Sequence, residues 1–144
     1  MTCVVVGYDG SAPGERALEY AKKLVKLIGD CELRLVFVIE WSPYSFHTPE
    51  ELEERHARRE HEVTRAREVV LDPAVKAAKA EGFEVTYEVR HGDAASLLDS
   101  IAREHKATQI VVGRVGSKGV RERLFGGVSG NLVASATVPV TIIP

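Results

Sequence analysis

The chain has 144 residues, of which 44% are hydrophobic and 28% charged, with a formal net charge of −2. Such a length and apolar share suit one globular domain over 1–144 with its own core, and the balanced charge lacks the basic face of a general nucleic-acid binder. No apolar run reaches the ~18 residues of a membrane helix, and the N-terminus enters a strand without a cationic, apolar signal segment. The expectation is a cytoplasmic protein with no nucleic-acid and no membrane partner.

In chain order, Thr2 to Tyr8 is a short β-branched run, the mark of a strand buried on both faces. Asp9-Gly10-Ser11 ends it, and Pro13 and Glu15 suit the first turn of a helix. Ala17, Leu18, Ala21, Leu24, Val25 and Ile28 recur at helical spacing up to a stop at Gly29. Leu33 to Ile39 reads as a second buried strand, and the aromatic segment Glu40 to Thr48 breaks the pattern. Thr48-Pro49-Glu50-Glu51 is a helix start, with a capping hydroxyl, a proline at the first helical position and a carboxylate reaching back. A charged helix follows towards Gly82, and Asp72-Pro73 inside it is expected to kink or restart it. His56 and His61 on this helix lie five apart, which is not the one-face spacing of a metal pair, so they read as part of a solvated face. Phe83 to Val89 is the third strand, Asp93 to His105 a helix, Gln109 to Val112 the fourth strand, Gly127 to Ala136 the last helix, and Val138 to Ile143 the fifth strand.

This β-α alternation predicts an α/β fold: a doubly wound, five-stranded parallel sheet with right-handed crossovers and helices on both faces. The orders 2-1-3-4-5 and 3-2-1-4-5 both satisfy the pattern. Cys3 and Cys31 both open strands; they read as reduced core thiols, and their placement alone leaves a bridge open.

The fourth strand opens into a glycine-studded loop that carries Arg114, Lys118, Arg121 and Arg123 and ends at a helix start. Glycines admit close approach of a ligand to backbone N–H groups, and a helix N-terminus offers unpaired N–H groups, so the stretch is a candidate phosphate cradle. It holds no Gly-Lys-Ser/Thr and no G-x-G-x-x-G spacing, which excludes a Walker A loop and the dinucleotide fingerprint. The spacing present is Gly113-x-x-Gly116, nine residues, then Gly126-Gly127-Val128-Ser129.

That spacing resembles the nucleotide loop of the universal stress protein family, G-x2-G-x9-G-[Ser/Thr]. Val4 to Ser11 is similar to the family's first strand with its Asp-Gly-Ser turn, and Val138 to Ile143 to its last strand. One position departs: Gly127 stands where the family has a hydroxyl, while Ser129 matches a second hydroxyl position. The resemblance selects the sheet order 3-2-1-4-5, an adenine nucleotide alpha-hydrolase-like, Rossmann-like topology. It also implies a nucleotide site made of Tyr8, Asp9, Val38, Val112, Gly113, Arg114, Gly116, Gly126, Gly127, Val128 and Ser129. In that site Val38 reads the adenine edge through its backbone, and the basic loop meets the phosphates. Asp9 bonds a ribose hydroxyl, helps hold Mg or Mn at the phosphates, or caps the first helix. In the chosen order the sheet reverses its winding between strands one and four, so the Asp9 turn and Gly113 meet there.

The functional expectation is an ATP- or AMP-binding module acting in stress signalling as a homodimer paired through Val138–Ile143. The alternative is a nucleotide-free interaction module of the same fold. No nucleophile–base pair stands near the loop, so any ATP hydrolysis is expected to be slow or partner-dependent. A phosphorelay receiver would need an acidic pair after strand one and a lysine after strand five, and the chain carries neither.

Overall fold

The structure is a computed structural model and describes residues 1–40, 49–114 and 127–144. The aromatic segment 41–48 and most of the glycine loop, including Gly116 and Gly126, lie outside the described residues. The elements are β1 (Thr2–Gly7), α1 (Ala12–Ile28), β2 (Cys31–Glu40), α2 (Pro49–Arg65), a π-helical segment (Ala66–Leu71), α3 (Asp72–Ala80), β3 (Val85–Gly92), α4 (Ala94–Glu104), β4 (Gln109–Gly113), α5 (Val128–Ser135) and β5 (Val140–Ile143). All strand pairs are parallel, in the order β3-β2-β1-β4-β5. The expected architecture and order are therefore found. No helix among the described residues is long and apolar enough to cross a membrane.

Alternation along the strands divides the core in two. Val4, Val6 and Tyr8 of the first strand and its turn face the same side as Leu33 and Leu35, where α1, Leu71 and Val75 cover them. Cys3, Val5, Val36 and Val112 face the other side, under Leu98 and Ile101 of α4 and Leu132 of α5. The two thiols consequently sit on opposite faces of the sheet, and both are free. Burial first, then the nearby Glu32 carboxylate, push the Cys3 thiol up to about 12, so it behaves as an inert core group.

One sequence expectation needs correction. β2 is not buried on both faces along its length: Arg34 is half-buried on the α4 side, and its Nε lies 3.1 Å from Glu88 of β3. The restart expected at Asp72-Pro73 is found, with α3 beginning at Asp72, and it comes without a gap in the helical backbone. The chain widens into the π-helical segment, in which Asp72 N–H donates to the Arg67 carbonyl five residues back, and Pro73 then sits in the first turn of α3. A proline lacks the N–H for a bond four residues back and its ring crowds that carbonyl; the wider turn shifts the register and lets the helix run on. Strand and helix ends differ by at most three residues from the sequence reading, as helix and strand termini commonly do.

Candidate functional site

The chain reverses its winding between β1 and β4, and a crevice opens beyond their carboxyl ends. It has about 610 Å³ of empty space, part of it open to solvent. Its apolar wall is Val36, Val38, Leu98, Val112 and Val128; its polar rim includes Asp9, Ser11, Glu40, Arg114 and Ser129. Stretches more than a hundred residues apart thus converge as the strand order requires.

The turn after β1 is built from its own side chains. Ser11 is the N-cap of α1: its Oγ accepts from Gly14 N–H at 3.2 Å. Asp9 is not the cap; its Oδ1 accepts from the Ser11 N–H at 3.0 Å and from the Ser11 hydroxyl. A Cβ on Gly14 would lie 2.8 Å from that same Oδ1, so the small residue leaves room for the carboxylate. Tyr8 contributes backbone more than side chain. Its ring packs on the α1 side of the sheet and its hydroxyl donates to Glu15, while burial and that carboxylate raise its ionisation above the ordinary range.

Val38 stands where β2 outruns its neighbour. The hydrogen-bonding groups of Val36 face β1, where its carbonyl accepts from Tyr8 N–H, and those of Leu33 face β3, where its N–H donates to Glu84. Parallel strands alternate this direction residue by residue, so Val38 also turns its N–H and C=O towards β1. The β1 register ends at Gly7 opposite Val36. The backbone edge of Val38 therefore opens onto the crevice, while its side chain joins the α4-side core.

On the opposite wall, Gly113 ends β4 against the start of α1: a Cβ there would lie 2.6 Å from the Pro13 carbonyl oxygen. Arg114 N–H donates to the Ile143 carbonyl at 2.9 Å, and its side chain is exposed. The Ser129 hydroxyl donates to the Arg114 carbonyl at 3.3 Å, which ties the start of α5 to the end of β4. Gly127 is the N-cap of α5 and provides no side-chain cap, and the first intrahelical bond runs from Asn131 N–H to the Gly127 carbonyl. The N–H groups of Val128, Ser129 and Gly130 in the first turn have no intrahelical acceptor and carry the positive end of the helix dipole.

Tyr8, Asp9, Val38, Val112, Gly113, Arg114, Val128 and Ser129 thus line one crevice, with Gly127 immediately behind it. Gly116 and Gly126 lie outside the described residues, as do Lys118, Arg121 and Arg123. The sequence reading missed Gly7, Ser11, Gly14, Val36, Glu40, Ala94 and Leu98 of the lining. Their signal was positional: they stand in the carboxyl halves of β1 and β2, at the start of α1 and in the first two turns of α4, which the strand order brings to this mouth. Among the described residues no cluster of three or more histidine, cysteine or carboxylate groups could hold a metal.

Comparison with known proteins agrees with this architecture. The model of the universal stress protein family matches residues 1–144. A curated relative, universal stress protein Rv1636 of Mycobacterium tuberculosis, is 27% identical over 160 aligned residues, covering 97% of this chain and 94% of the relative. Among solved structures, the hypothetical protein MJ0577 superposes with a TM-score of 0.79 at 22% identity, over 99% of this chain and 94% of that one. A universal stress protein in complex with cAMP gives 0.67 at 23%, over 99% and 97%. The Arabidopsis thaliana family protein At3g01520 with AMP bound gives 0.64 at 20%, over 99% and 91%.

Proposed function

Because the chain belongs to the universal stress protein family, we propose that the crevice between β1 and β4 binds an adenine nucleotide, ATP or AMP, and that the protein works as a binding module in a stress response. The observation that carries this is the open backbone edge of Val38 facing the uncapped start of α5 across an apolar wall. A flat base held by Val36, Val38 and Leu98 would exchange hydrogen bonds with Val38 N–H and C=O. Phosphates would then meet the first-turn N–H groups of α5 and the Arg114 guanidinium, both suited to oxyanions. Gly127 makes no side-chain cap, so the first-turn donors of α5 are left for a ligand.

Family structures with cAMP and AMP bound support the ligand class. A divalent Mg or Mn ion fits only in the mode where the phosphates supply most ligands, since the described lining offers just two carboxylates, Asp9 and Glu40. Calorimetry with ATP, ADP and AMP, with and without Mg, is the direct test. Saturable binding is expected for ATP or AMP; no heat and no copurifying nucleotide would favour a nucleotide-free interaction module instead.

A further inference from the structure

On the other face of the sheet, a second cleft of about 850 Å³ opens between α2 and the end of β3. It shares no lining residue with the nucleotide crevice. His56, Arg59, Glu60, Thr64 and Arg67 stand along it at spacings of three, four, eight and eleven from His56, one stripe of a helix. His91 of β3 faces them from the sheet, in register with Ile39 and one residue along from the partner of Val38.

The charge in this cleft is lopsided. Its one carboxylate, Glu60, is engaged by His56 Nε2 at 3.3 Å. Among the described residues neither Arg59 nor Arg67 has an ion-pair partner. The Nε2 atom of His91 is buried and has no hydrogen-bond partner among the described residues, which is costly for a polar atom unless something supplies one. A concave site with two planar guanidinium forks, a hydroxyl and an unsatisfied imidazole nitrogen has the donor set for a tetrahedral oxyanion. We propose that this cleft is a second anion site, separate from the nucleotide crevice, which takes inorganic phosphate or the phosphate group of a small phosphomonoester. His91 Nε2–H would donate from the sheet side while Arg59 and Arg67 close on the anion from the helix.

The test follows histidine ring resonances of the full chain by NMR during titration with inorganic phosphate, against chloride at equal ionic strength. Saturable shifts are expected at His91 and His56, with none at His61, which lies on the same helix outside the cleft. An Arg59→Gln, Arg67→Gln double variant should weaken phosphate about tenfold or more, as loss of two charge-assisted contacts implies, without altering calorimetric binding of ATP or AMP. Glycerol 3-phosphate in place of phosphate tells a phosphomonoester site, which binds both, from one for the free anion. Shifts that chloride reproduces, that never saturate, or that survive in the double variant at undiminished affinity would overturn the proposal. Because the readout is at His91, failure of the nucleotide reading leaves this test intact.

Discussion

A Cβ added at Gly113 would lie 2.6 Å from the Pro13 carbonyl oxygen, 2.7 Å from its Cβ and 2.8 Å from its carbonyl carbon. Two of those neighbours are backbone of a helix start, which cannot swing aside as a flexible side chain would. Gly113→Ala must therefore displace the first turn of α1 from the end of β4, at a cost of about 1–3 kcal/mol for overpacking. Urea denaturation should find the variant destabilised by that amount, and an unshifted midpoint would show the contact is slack. The glycine spacing was legible in the sequence, and it was read there as room for a phosphate. The second reason, that α1 crowds the same residue, was not legible, because Pro13 and Gly113 are brought together only by the sheet order. Arg114 separates differently: its backbone is committed to Ile143 while its side chain is exposed. Arg114→Ala should leave stability within about 0.5 kcal/mol, as surface substitutions usually do. It should weaken ATP more than AMP, and the difference should shrink as salt screens the exposed charge. Equal losses for both nucleotides in calorimetry would move this side chain away from the outer phosphates.

At the scale of elements, strand pairing explains where β2 and β3 carry charge. The register sets Arg34 opposite Thr86 and Val36 opposite Glu88. Glu88 receives Arg34 Nε at 3.1 Å on one oxygen and Arg90 Nη2 at 3.0 Å on the other, and Arg34 Nη1 also reaches Thr86 Oγ1 at 3.0 Å. Burial alone would raise the Glu88 carboxyl; the hydrogen bonds from Arg34 and Arg90 outweigh it and hold the group below its ordinary value of 4.5. A depressed folded-state value means stability that is present above the unfolded value and lost as pH falls through the folded one. Glu88→Gln should therefore cost about 1–3 kcal/mol at neutral pH, and the gap to wild type should narrow as the pH drops below about 4.5. A gap that stays constant down to that acid limb would contradict the pairing. Alternation of Glu32 and Arg34 with apolar neighbours was the sequence signal that β2 has a polar side; the apolar run around it masked the signal. The π-helical segment was less legible, since Asp72-Pro73 fits a kink as well as a widened turn. What selects the latter is tertiary: Val70 of that segment packs against Gly10, where a Cβ would meet its Cγ1 at 3.1 Å.

For the whole molecule, periodicity predicted five strands and their alternation with helices but left two orders open; the family resemblance selected between them, and the pairing agrees. The order leaves two strands at the sheet edges, β3 and β5, and among the described residues no further strand pairs with the outer side of either. They are not equivalent. β3 carries Glu88 and Arg90 in an ion-pair network, the kind of charge that discourages edge-to-edge pairing. β5 reads Val-Thr-Ile-Ile, has no charged residue, and is half-buried along its whole length. Val138, Val140 and Ile142 pack only partly onto the α4-side core, and Val133 on neighbouring α5 is 70% exposed. An apolar edge of this kind is most simply covered by a second copy about a two-fold axis, β5 running antiparallel to β5. We therefore expect a homodimer centred on Val140 and Ile142, with Val133 at its margin. Val140→Lys puts a charge on each side of that seam, where the two-fold axis brings the like charges close together. It should shift the protein to monomer while leaving the rest of the core folded. Light scattering across the micromolar range reads the change directly: a wild type monomeric at high micromolar concentration would sink the dimer, and so would a folded Val140→Lys protein that still pairs with undiminished affinity.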